Sequence, residues 1–116
     1  MPETILDQPT FENLKAMMGA DFIGELIDAY LEETPRTLAQ LKQALVEGNA
    51  EVFRRSAHSI KSSSASFGAL QLSAMAKELE MLGKEGKLDG AGEKVESLAL
   101  DYQRVASALG VLRDGA

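Results

Sequence analysis

What constrains this chain most is the spacing of its apolar residues. They recur every three or four positions almost throughout, and no stretch alternates as a half-buried strand must. The last stretch is the most regular: Val95, Leu98, Tyr102, Val105, Leu109 and Leu112 step by three, four, three, four and three, as in the seam of a bundle helix. Three more stripes precede it, Leu72–Met75–Leu79–Leu82, Phe53–Ala57–Ile60–Ser64–Phe67, and Phe22–Leu26–Tyr30–Leu38–Leu41–Leu45. A short stretch with Phe11, Leu14, Met17 and Met18 comes first, capped by Thr10 and interrupted by Gly19. The stripe around Pro35 resumes in phase beyond the proline, which predicts one helix kinked near Pro35 rather than two short ones.

Turn and cap signals divide these stripes. Asp21 can cap the second helix, Gly48-Asn49 ends it, and Asn49 caps the third, which Gly68 terminates. The fourth closes in Gly83-Lys84-Glu85-Gly86, and Gly90 and Gly92 mark the last loop. Connections this short favour antiparallel neighbours. The expectation is an all-α fold, an antiparallel up-and-down four-helix bundle with a short extra N-terminal helix. One domain spans 10–112, between a flexible N-terminus, 1–9, and a frayed C-terminus, 113–116.

Composition removes whole classes of function. A chain of 116 residues suits one hydrophobic core. A net charge of −6 repels nucleic acid and anionic lipid. No apolar run approaches the roughly 20 residues of a membrane span, and Glu3 and Asp7 stand where a signal peptide carries basic residues, so the chain reads as cytoplasmic. With no cysteine and one histidine, no zinc or thiol chemistry is expected and no bound metal. No glycine-rich nucleotide cradle occurs, so ATP is not a substrate of this chain alone.

That leaves the single histidine. At ~100° per residue, Phe53, Ala57, Ile60, Ser64 and Phe67 fall within about 40° of one direction, and His58 points about 140° away. A core histidine would lie on the seam. Arg54, Lys61 and Ala65 flank it within about 60°, which places two cations a turn either side of a lone nucleophile. An imidazole that is neutral near pH 7 offers a ring nitrogen lone pair to phosphorus, and neighbouring cations would favour that neutral form and stabilise the oxygens of a transferring phosphoryl group. Ser62, Ser63, Ala65 and Ser66 keep the surroundings small enough for a partner's active site to close over the ring. The bland alternative is a solvated helix face with incidental basic neighbours.

The run His58-Ser-Ile-Lys61-Ser62-Ser-Ser-Ala65-Ser-Phe67-Gly68-Ala69 resembles the motif of histidine-containing phosphotransfer domains, H-x-L-K-G-x-x-x-x-x-G, and the likeness covers roughly residues 10 to 112. The resemblance implies that His58 is the phosphoacceptor, that Lys61 steadies the phosphoryl group, and that Gly68 ends the motif helix. Ser62 replaces the family's usual glycine. Some members carry a glutamine and an arginine on the following helix; here Glu80 and Lys84 stand there, so a glutamine hydrogen bond to the imidazole is not implied. Lys84 and Lys77, with Arg54 and Arg55, would form a basic rim.

By the same likeness the chain is a phosphoryl carrier without its own ATP site. The partners it implies are response-regulator receiver domains, a hybrid histidine kinase, or both, with Mg²⁺ in the receiver and no cofactor on this chain. Docking would use Met17, Met18 and Phe22. Two rivals differ in class: a bundle that regulates a partner by docking alone, and an excised substrate domain of a larger histidine kinase.

Overall fold

The structure, a computed structural model, describes residues 5–114. Five helices follow in order: α1 (Gln8–Met18), α2 (Ala20–Glu47), α3 (Ala50–Ser66), α4 (Leu70–Lys84) and α5 (Gly92–Asp114). Among these residues there is no strand. α3 packs on α2 and α4, and α5 on α4 and α2, so the four long helices form a ring in chain order that α2 and α5 close, while α1 lies across α2 and α3. This is the expected all-α bundle with its extra N-terminal helix. No described helix is long and apolar enough to cross a membrane.

The seams of α3 and α5 are buried as their spacing required: Phe53, Ala57, Ile60 and Ser64 on one, Val95, Leu98, Tyr102, Val105 and Leu109 on the other. Ser64 is the polar member of its seam, and its hydroxyl pairs with the Tyr30 hydroxyl at 2.8 Å, so neither buried oxygen is left without a partner. α2 runs unbroken for 28 residues with Pro35 inside it. Pro35 is exposed, so the backbone bond it cannot donate is lost on the wet side of the helix.

Several local expectations change. Thr10 does not cap α1; Asp7 does, its Oδ2 accepting from the Thr10 amide at 3.2 Å and the Thr10 hydroxyl at 2.6 Å. Residues 5–9 are not a flexible tail: Leu6 is buried, and the Asp7 amide donates to the Gly68 carbonyl at 2.8 Å. Residues 1–4 lie outside the described region, as do 115 and 116. Residues 113 and 114, expected to fray, end α5, with Arg113 reaching Asp28 at 2.8 Å. Gly19, not Asp21, precedes α2, leaving Asp21 in the first turn where its charge complements the helix dipole. Ile23 and Ile27 take the core positions assigned to Phe22 and Leu26, and Phe22 is exposed. Gly92 opens α5 rather than marking the loop before it.

Two glycines set the approach of neighbouring chain segments. Gly68 has φ +84°, and a Cβ on it would stand 2.8 Å from the Asp7 carbonyl oxygen, so the end of α3 and the start of α1 touch through a missing side chain. Gly83, expected in a loop, is helical, and a Cβ there would meet the Arg54 backbone at 3.0 Å. Gly48 supplies a control, with φ +69° and open space around it. Gly68→Ala is expected to lower unfolding stability by about 2–3 kcal/mol against about 1 kcal/mol for Gly48→Ala in urea titrations. Equal losses would show that only φ matters at Gly68 and that the Asp7 contact does not.

Candidate functional site

α3 carries the centre of the site because Asn49 starts it cleanly, its side chain accepting from the Val52 amide at 3.1 Å. Its core seam then turns His58 outward, and the imidazole keeps 55% of its surface exposed. α4 runs antiparallel beside it. Gly83 lies against Arg54, Glu80 against His58, and Ser73 donates to the Lys61 carbonyl at 3.0 Å, a register of three contacts along one helix pair.

Glu80 is the residue that the spacing alone did not place in the site. One carboxylate oxygen lies 2.7 Å from His58 Nδ1 and the other accepts from Lys61 Nζ at 2.6 Å, so one side chain joins the proposed nucleophile to the proposed phosphoryl-steadying cation. The Lys61 hydrogen bond, opposed by partial burial and helped by His58, holds the Glu80 carboxyl below its usual range. A carboxylate only accepts, so Nδ1 carries the proton in this contact, and in the neutral form of the ring Nε2 is the nitrogen with the lone pair. The flanking cations are therefore not alone in setting the charge around the ring: the group nearest the imidazole is an anion. No periodicity signals this, because Glu80 reaches His58 only through the register of α4 on α3.

The basic rim is reduced by its own partners. Arg54 donates to Glu51 through Nη2 at 2.7 Å and Nε at 3.3 Å, and Arg55 stands 3.6 Å from the same carboxylate. Lys77 and Lys84 are exposed on the face of α4 that carries Glu80, one turn either side of it. Ser62 and Ala65 share the His58 face, Ser62 exposed and Ala65 half-buried, while Gly68 is buried at the far end of the motif.

On the side away from α4, Ser59, Ser63 and Ser66 border a groove of about 410 Å³ between α1, α2 and α3. Its apolar lining is Leu14, Met18, Leu26, Tyr30, Ile60 and Phe67. Of the three residues expected to dock a partner, Met18 lines this groove, whereas Met17 and Phe22 are exposed outside it. Apart from Met18, the large apolar residues that line the groove all belong to the apolar stripes read from the sequence; Tyr30, Ile60 and Phe67 are buried, and Leu14 and Leu26 only partly so. Among the described residues no cluster of acidic, histidine and cysteine side chains is arranged to hold a metal ion.

Residues 25–108 match the Hpt domain family. The chain is 32% identical over 101 residues to the phosphorelay protein LuxU of Vibrio harveyi, covering 86% of this chain and 89% of that protein. It is 33% identical over 82 residues to LuxU of Vibrio vulnificus, covering 71% of each. The crystal structure of histidine-containing phosphotransfer protein B from Pseudomonas aeruginosa superposes with a TM-score of 0.93 at 28% identity, over 99% of both chains. An exposed histidine on a bundle helix, matched along most of the chain by phosphotransfer proteins, places this protein in the Hpt domain family, the phosphoryl carriers of two-component phosphorelays.

Proposed function

We propose that His58 is the residue that carries the phosphoryl group, taking it from an aspartyl phosphate on one receiver domain and passing it to another. The observation behind this reading is the imidazole itself: exposed, with Nδ1 occupied by Glu80 and Nε2 free of protein hydrogen bonds among the described residues. Nε2 attacks phosphorus as the bond to the aspartyl oxygen breaks, and the electron pair leaves with the donor's carboxylate. Lys61, tied to the ring through Glu80, is the cation that would steady the phosphoryl oxygens during transfer.

The receiver supplies Mg²⁺ and the acidic pocket around its own aspartate, and this chain supplies the nucleophile and one cation. The groove beside Ser59 and Ser63 gives the receiver an apolar foothold next to His58, with Leu14, Met18 and Leu26 as its anchors. Ser62 fits this role: it is small and exposed on the His58 face, so a partner can close over the ring.

His58→Gln is expected to keep the helical circular dichroism and unfolding midpoint of the wild type while losing all acid-labile label from a phosphorylated receiver. Equal labelling of the two proteins would remove His58 from the mechanism. Regulation of a partner that survives this substitution would favour docking without phosphate, and labelling by a kinase core with no receiver present would favour a kinase substrate domain. Lys61→Ala should slow single-turnover transfer about tenfold, the scale of one charge-assisted hydrogen bond, without unfolding the bundle. Unchanged rates would show that the ammonium is dispensable.

A further inference from the structure

Glu80 does more chemically than hold a ring in place. An amide in its position would accept a hydrogen bond from Nδ1–H or, by turning over, donate one to a bare Nδ1, and so would serve either protonation state. A carboxylate serves only one. We infer that Glu80 keeps a proton on His58 Nδ1 through the whole transfer cycle, so that the phosphoryl group on Nε2 leaves from a protonated ring. This rests on the function proposed above and adds what governs the lifetime of the phosphorylated state.

When Nε2 attacks, its lone pair forms the N–P bond and the ring, still bearing Nδ1–H, becomes a cation. Glu80 at 2.7 Å is the anion that faces it. If Nδ1 then lost its proton, later cleavage of the N–P bond would have to return the electron pair to a ring with no proton, expelling an imidazolate, which is a poor leaving group. With the proton kept, the acceptor's carboxylate oxygen attacks phosphorus, the N–P pair returns to Nε2, and neutral imidazole leaves. No proton moves in either half of the cycle.

The charged surroundings fit this role. From α4 the ring meets Glu80, with Lys77 and Lys84 exposed a turn away on the same face. From α3 it has Lys61, engaged by Glu80, and Arg54 and Arg55, both engaged by Glu51. α2 brings Glu33 to the groove that Ser59 borders, α1 brings only Leu14 and Met18 there, and α5 does not pack on α3. Glu80 is thus the anion in direct contact with the ring. Lys61, drawing on the other carboxylate oxygen, keeps that carboxyl ionised below its usual range. Glu80 acts through His58 and is a positioning residue.

The test charges the full chain with phosphoramidate, a small phosphodonor that needs no receiver, and follows loss of phosphate from His58 by intact mass between about pH 6 and about pH 9. Wild-type phosphate loss is expected to hold its rate to a higher pH than Glu80→Gln. The variant's phosphohistidine should outlast the wild type's roughly tenfold near pH 8, the equivalent of one unit in the pH at which the ring loses its proton. Superposed pH profiles would overturn the inference. Nitrogen NMR of the unphosphorylated wild type supplies a second check that does not depend on the variant folding: the proton is expected on Nδ1, and a ring protonated at Nε2 alone would equally overturn it. Failure of charged wild type to pass its label to any receiver would instead count against the proposed function and leave both of these readouts standing.

Discussion

Where α3 and α4 lie side by side, the side chain that Gly83 lacks would stand 3.0 Å from the Arg54 backbone, and the geometry of the site depends on that closeness. Two helix backbones approach this far only where one of them has no Cβ to separate them. A turn away from this contact Glu80 reaches His58, and further along Ser73 ties itself to the Lys61 carbonyl. The short reach of a glutamate then suffices to touch both the imidazole and the ammonium. A wider spacing between the helices would leave the carboxylate in water and the histidine with no fixed tautomer.

The same contact sorts the charges. Arg54, which the helical wheel sets beside the histidine, pairs with Glu51 one turn below, as does its neighbour Arg55, while Lys61 and His58 share Glu80. The site is therefore a carboxylate joining a cation to an imidazole rather than a ring of free cations around a lone nucleophile. Such a chain of charge-assisted hydrogen bonds orients the ring before any partner arrives, which would lower the entropic cost of the transfer proposed for Nε2. The opposite flank is built of serines, and they border the apolar groove between α1, α2 and α3.

At the N-terminal end the chain is more ordered than its composition suggests. Leu6 and Phe11 join the core, and Asp7 serves twice, capping α1 with its side chain and pairing with Gly68 through its backbone amide. The segment held in this way carries Leu14 and Met18 into the groove beside the site. Gly68, at the end of the His58 motif, thus has a structural task separate from chemistry: it is where the motif helix stops and where the first helix is anchored.

Periodicity alone determined that the chain is a helical bundle, because a seam repeating every three or four residues can be buried in no other regular structure, and it placed His58 off that seam. The motif around His58 and Lys61 carried the family. Periodicity was less informative in α2, where Phe22, Ile23, Leu26 and Ile27 are apolar on two adjoining faces, and only the packing of α1 and α3 decided that Ile23 and Ile27 go inward while Leu26 turns to the groove. The resemblance picked out Glu80 by its place on the following helix, but only the tertiary structure showed that its carboxylate joins His58 to Lys61. Its partnership with His58 links residues on different helices through the register of α4 against α3, and that register is set by a glycine and a serine whose roles have no period to read.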